Sequence, residues 1–276
     1  MKIPFPVFVA TLLAPVVKSQ SPNGPGSGPY PAEYTTDPTL PTHTIYKPIT
    51  PPPTLPLPIL IWGNGACTNN GTRFSNLLTH IASHGFIALA SGPPNGCGTT
   101  DAQLMRDAID WITQQAGEEG SGYETADLSK LAVAGQSCGG LEAYELRDDE
   151  RVKGLGIFNS GFFDFRFPVP GWEGPETIGE VRKPVFWFLG GEGDIAYENG
   201  MRDYAGLQGQ PKWVGNYPVG HLGTYAAPDA GEFGVAAVNW VQFLLRGDEE
   251  AAAWFLDGGA EAAGWEETAR EGLQNL

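Results

Sequence analysis

Short, nearly continuous apolar runs alternate along this chain with segments in which apolar residues recur every three or four positions. Ile59–Trp62, closing on Gly63, Phe86–Ala90, Leu131–Ala134, Val152–Phe158, Val185–Leu189 and Trp213–Tyr217 read as buried strands. Between them, Phe74–Ser83 repeats with helical spacing through Phe74, Leu77, Leu78 and Ile81, and Gly85 closes it. Asp101–Gln115 sets Leu104, Met105, Ala108, Ile109, Trp111 and Ile112 on one side of a helix, and Gly139–Leu146 and Phe233–Leu245 also read as helices. Two β-like pieces, Glu33–Thr36 and Thr44–Tyr46, come first. Strands alternating with helices at this spacing predict a single α/β domain over 20–276, with a mostly parallel sheet flanked by helices and joined by right-handed crossovers. No repeat or linker divides it.

The connections carry their own signals. Residues 20–32 are rich in Gly, Pro and Ser and are predicted mobile. Ile49–Pro58 carries five prolines, which predicts an exposed extended loop. Gly161–Lys183 is too short for a large lid; its Phe162, Phe163, Phe165, Phe167 and Trp172 suit either an acyl pocket or core packing. The last segment, 248–276, holds eight acids and one base, Arg270, and reads as an acidic, partly docked helical tail.

Charge narrows the function. Sixteen basic residues stand against 32 acidic ones, a formal net charge of −16. Phosphate backbones are bound by clustered Lys and Arg, so a nucleic-acid or anionic-membrane surface is excluded as an expectation. The opening MKIPFPVFVATLLAPVVKS reads as a secretory signal peptide over 1–19, with Lys2 ahead of an apolar stretch too short to span a bilayer. The expected protein is secreted and monomeric, without a membrane anchor, cofactor or metal. Asn70-Gly71-Thr72 is a glycosylation sequon usable in that setting. Of the three cysteines, Cys67, Cys97 and Cys138, the first two each sit in a turn after a predicted strand and are expected to bridge. Cys138 is expected to be buried and free, and three unpaired thiols form the alternative.

The candidate chemistry sits at strand ends. Gly135-Gln136-Ser137-Cys138-Gly139 is a G-x-S-x-G string immediately after one predicted strand and before a helix. A turn that tight presents the serine hydroxyl, and the Cys138 amide follows it where a developing oxyanion would form. A serine needs a base to take its proton. Of the four histidines, His43, His80, His84 and His221, only His221 follows Ser137, in a Gly-flanked loop after the last predicted strand. His80 and His84 are four apart on a helix and read as structural. Thirteen acids lie between Ser137 and His221; Asp194 is preferred because the Val185–Leu189 strand delivers it, with Glu192 and Asp164 as competitors. The second oxyanion donor is assigned to Asn64 in the Gly63-Asn64-Gly65-Ala66 turn, with Gly65 close behind.

The Gly63–Ala66 turn, the LLTHIASHGF stretch over Leu77–Phe86, GQSCGG over Gly135–Gly140, GEGDIA over Gly191–Ala196 and Gly220-His221 together resemble secreted α/β-hydrolase esterases of the dienelactone-hydrolase, cutinase-like and polyester-hydrolase kind. The resemblance spans 59–245. It implies an α/β-hydrolase fold, a Ser137–Asp194–His221 triad, and oxyanion donors at Asn64 and Cys138. It also implies neighbouring loops for Cys67 and Cys97, in support of their pairing. The chain departs from polyester hydrolases in carrying Asn64 where an aromatic is usual, and Cys138 where Met is common. The expected activity is cleavage of a small-molecule or polymeric carboxylic ester through an acyl-enzyme. A catalytically inactive binding protein, or an acyltransferase or lactonase with the same residues, are the alternatives.

Overall fold

The computed structural model describes residues 24–51, 53–163 and 173–276. The expected signal segment lies outside these residues, as do Asp164, Phe165, Phe167 and Trp172. The strands are β1 (Ala32–Asp37), β2 (Leu40–Pro48), β3 (Leu57–Gly63), β4 (Ile87–Ser91), β5 (Ala126–Gln136), β6 (Val152–Phe158), β7 (Val185–Leu189), β8 (Lys212–Asn216) and β9 (Glu266–Glu271). The helices are α1 (Ser75–Ser83), α2 (Ala102–Gln115), α3 (Cys138–Tyr144), α4 (Tyr197–Gly206), α5 (Gly231–Arg246), α6 (Glu249–Leu256) and α7 (Gly259–Ala262). All nine strands form one sheet in the order β1-β2-β4-β3-β5-β6-β7-β8-β9. The six from β4 to β8 run parallel, and β1, β2 and β9 are antiparallel at the two edges.

Strand periodicity splits the core into two layers. In β7, Phe186 and Phe188 face one side, while Val185, Trp187 and Leu189 face the other. The first layer lies under α1, α5 and α6, where Phe158, Phe188 and Trp240 pack with ring centroids 4.4–6.2 Å apart. The second lies under α2 and α3 with Met105, Ile109, Ile112 and Leu141. Both faces of the parallel strands are therefore dry, which is why those strands read as unbroken apolar runs.

Two expectations need correction. The acidic tail is an integral part of the domain: Phe255, Trp265 and Leu273 are core residues, and β9 pairs with β8. Its sequence, EETARE, has no apolar alternation because β9 is an edge strand with both faces largely wet. The described part of the segment expected to be mobile is pinned instead: the Gly28 amide donates to Ser83 Oγ at 2.9 Å and the Tyr30 amide to Ser83 O at 2.9 Å.

Two carboxyl groups are enclosed with the core. Asp203 accepts from the Phe162 amide at 2.6 Å and from Tyr144 Oη at 3.1 Å, anchoring the chain beyond β6. Glu142 accepts from Thr100 Oγ1 at 2.7 Å, and its Oε2 has no partner. Burial pushes Glu142 up to about 7 and Asp203 up to about 6, against the hydrogen bonds they accept.

A folded state that holds a proton the unfolded chain has released loses stability as pH rises. Glu142 imposes no penalty below the ordinary glutamate range and its full penalty above about 7. Urea midpoints are expected to fall from pH 5 to pH 8. Glu142→Gln should remove a share of that fall worth on the order of 3 kcal/mol; an unchanged pH slope in the variant would refute this assignment.

Candidate active site

The parallel strands end together, and the polar residues of the site stand on those ends, where α/β sheets place their ligand sites. Gly63 of β3 is level with Gly135 of β5, Gln136 with Phe158 of β6, and Leu189 of β7 with Asn216 of β8. Ser137 occupies the turn between β5 and α3 with φ 54° and ψ −118°. An L-residue held at positive φ costs on the order of 1–3 kcal/mol. Here the Ser137 amide is fixed to Phe158 O at 2.9 Å, and its carbonyl accepts from Ser160 Oγ at 2.7 Å.

The turn works because no side chain intervenes. A Cβ on Gly139 would fall 2.7 Å from the Asn64 amide nitrogen and closer still to the Gly63 carbonyl. The backbone after β3 therefore rests directly on the first turn of α3, which sets the Asn64 peptide unit against Gly139, two residues after Ser137. The Asn64 side chain is fully buried and braces the loop that follows it. Its Nδ2 donates to Ser91 O at 2.6 Å, Thr68 O at 3.0 Å and Asn70 O at 3.2 Å.

Asp194, His221 and Ser137 form one chain of hydrogen bonds. His221 Nδ1 lies 2.7 Å from Asp194 Oδ1, and Nε2 lies 2.9 Å from Ser137 Oγ. A carboxylate only accepts, so Nδ1 carries the proton and Nε2 faces the serine hydroxyl as acceptor. Asp194 also accepts from the Ala196 amide at 2.9 Å, the Gly190 amide at 2.9 Å and Asn159 Nδ2 at 2.8 Å. Burial raises its pKa, but His221, Ala196, Asn159 and Gly190 more than offset that, and the carboxyl stays below the ordinary aspartate range. Glu192, the nearer competitor, is exposed. Asp164, the other, is outside the described residues.

Sequence reasoning missed the support behind this chain. Asn159, fully buried at the end of β6 with φ 44°, accepts from Tyr225 Oη at 2.5 Å while donating to Asp194. Gln136 Nε2 donates to His221 O at 3.0 Å and ties the histidine loop to β5. The available signal was a polar residue directly after an apolar strand, at Asn159, as at Asn64.

The disulfide differs from the expected one. Cys67 is bonded to Cys138, with Cα atoms 5.2 Å apart, and Cys97 is free and exposed. The loops carrying Cys67 and Cys97 are indeed neighbours, but their register forbids the Cys67–Cys97 pair. Thr68 bridges Thr99 antiparallel, and the Thr100 amide donates to Cys67 O at 2.7 Å. Cys67 thus faces Thr100, three residues and roughly 10 Å along from Cys97, beyond disulfide reach. The observed bond ties the one-turn 3-10 segment Gly65–Cys67, next to Asn64, to the residue after Ser137. Cys67, Cys138 and Glu142 are close together, but the two sulfurs are bonded to each other and offer no thiolate to a metal. His80 and His84 pack edge to face at 4.9 Å, and burial lowers both, His84 to about 4.

A cleft of about 520 Å³ opens beside the site between α1 and the histidine loop, lined by Arg73, Phe74, Ser75, Gln136, Leu222 and Tyr225 among others. Apolar side chains also mark the two loops that carry Asp194 and His221: Ile195 and Leu222 are 74% and 75% exposed.

Residues 34–152 match the chlorophyllase family model. Chlorophyllase-1, chloroplastic, of Citrus sinensis is 32% identical over 115 residues, 36% of this chain and 35% of the relative. Its counterpart in Citrus unshiu is 31% identical over 114 residues, with the same coverage. The matched stretch is therefore about a third of each relative's length. The family-model match runs from β1 through the serine turn and stops short of Asp194 and His221. Strand order, serine turn and family match agree on one architecture: the chain has the α/β-hydrolase fold, which is also the fold of the chlorophyllases' superfamily.

Proposed function

We propose that this chain is a serine hydrolase that cleaves carboxylic esters through an acyl-enzyme. The observation that carries the proposal is the unbroken run of hydrogen bonds from Asp194 through His221 to Ser137 Oγ, at 2.7 and 2.9 Å. As Ser137 Oγ attacks the ester carbonyl carbon, its proton passes to His221 Nε2, and the imidazolium is stabilised by the Asp194 carboxylate. The carbonyl oxygen gains negative charge and takes hydrogen bonds from the Asn64 and Cys138 amides. Collapse of this intermediate expels the alcohol, protonated by His221, and leaves an acyl group on Ser137. A water deprotonated by the same imidazole then releases the acid. Exposed Ile195 and Leu222 at the rim favour a substrate with an apolar part. The Cys67–Cys138 disulfide fits an oxidising compartment, which supports secretion; no described helix is long and apolar enough to cross a membrane.

Ser137→Ala is expected to lower kcat on a short-chain aryl ester by at least about a thousandfold and to abolish labelling by a fluorophosphonate; equal rates in both proteins would refute the mechanism. Asn159→Ala should lower kcat on the order of tenfold with little change in KM, because it loosens Asp194 rather than the substrate. A change confined to KM would exclude that role. Reduction of the Cys67–Cys138 bond under native conditions should lower kcat roughly tenfold or more by freeing the Asn64 loop, with recovery on reoxidation. Unaltered kcat in protein shown by thiol titration to be reduced would remove the disulfide from the machinery.

A further inference from the structure

The cleft beside Ser137 holds an unspent cation. Arg73, an exposed residue, is its single charged lining residue, and among the described residues its guanidinium has no hydrogen bond or ion pair. Every other described arginine is engaged: Arg106, Arg182 and Arg246 donate to carbonyls, Arg147, Arg151 and Arg270 to carboxylates, and Arg202 to both. In a chain with twice as many acids as bases, Arg73 is the exception among the described arginines in having neither a carbonyl nor a carboxylate partner.

Two further features point at the same spot. Ser75 is only 7% exposed, lines the cleft, and has no hydrogen-bond partner for its hydroxyl among the described residues. It is the first residue of α1, a nine-residue helix with no acid in its first turn and no side-chain cap, since its N-cap is Phe74. The opposite flank of the histidine loop has the reverse character, with Glu192, Glu266 and Glu267 lining a separate recess beside Gly220. Phe74, Tyr225 and Leu222 supply apolar wall between the cationic end and the histidine.

We infer that the cleft selects esters that carry a carboxylate remote from the scissile bond, with Arg73 and Ser75 Oγ holding the carboxylate and Phe74, Tyr225 and Leu222 contacting the apolar chain. The inference rests on the proposed esterase reading and gives it a substrate class: half-esters of dicarboxylic acids and similar monoanions. Arg73 can meet a carboxylate with two parallel N–H···O bonds, a geometry lysine cannot reproduce.

Monomethyl adipate and methyl hexanoate match in chain length and differ in the terminal carboxylate. At about 20 mM ionic strength, kcat/KM for the half-ester is expected to exceed that for the neutral ester roughly tenfold, and the ratio should shrink at about 500 mM salt. Arg73→Gln should bring the ratio close to one, and Arg73→Lys should retain part of it. A ratio near one in the wild type, or one that Arg73→Gln does not move, would overturn the inference. Calorimetry keeps the test independent of turnover. Monomethyl adipate should bind Ser137→Ala roughly tenfold more tightly than it binds the Ser137→Ala, Arg73→Gln double variant, and equal affinities would also overturn the inference. A protein inert to both esters and to fluorophosphonate, yet showing this difference in affinity, would instead refute the esterase reading and leave the anion site standing.

Discussion

The site depends on one close approach of two backbones. Gly63 and Asn64 lie against Gly139 with no side chain between them, and a single added methyl at Gly139 would displace the Asn64 amide. That contact packs the connection after β3 directly against the turn and helix start that carry Ser137. Hydrogen bonds aimed by backbone are stiffer than those aimed by side chains, because no rotamer must be frozen to form them. The same contact explains why Asn64 is tied by its side chain to Ser91, Thr68 and Asn70: the loop is held from behind because glycines hold it from the front only by shape.

Much of this was legible in the chain because its strands are buried on both faces and its helices on one. The runs ending at Trp62, Ala134, Phe158 and Leu189 could hardly be anything but central strands, and the polar residues just beyond them had to stand at one edge of the sheet. Order along the chain then left a single histidine after Ser137. What escaped was whatever depends on register or on contacts between distant residues. The Cys67–Cys138 bond is invisible from turn positions, because a displacement of three residues decides which loop thiol is in reach. The strand β9 escaped because an edge strand wetted on both faces has no period to read, and α4, with Gly200 and Gly206, lacks a clear apolar stripe. Asn159 and Tyr225 escaped because nothing local says that a polar residue 35 positions before Asp194 will donate to it.

The charge distribution takes on meaning only with the fold in hand. A net charge of −16 was informative about what the protein avoids. Once the chain is folded, most of the described cations are engaged in holding structure: Arg246 closes the end of α1 through His84 O and Gly85 O, and Lys212 bonds Tyr204 O and Leu207 O. An anion approaching the active-site rim would meet a repulsive field nearly everywhere else, and the Debye length of about 8 Å at physiological salt limits that field to the near surface. Local contrast across the histidine loop therefore matters more than net charge in deciding which substrates settle.

Backbone strain shows how fold and site are coupled. Positive φ values at Ala66, Cys67, Ser137 and Asn159 all fall at the carboxyl ends of β3, β5 and β6 or in the loops leaving them. Each is costly for an L-residue, so the surrounding structure must over-determine them. Ser137 is fixed through its amide to β6 and through its carbonyl to Ser160; Asn159 is fixed through its amide to Phe188 O and through its side chain to Asp194 and Tyr225. Ala66 and Cys67 have few such bonds. The disulfide to Cys138 takes their place, and it anchors the loop to the residue directly after Ser137. Strain in the loop and its placement are thereby tied to one covalent link, so the loop after β3 cannot drift without also displacing the start of α3.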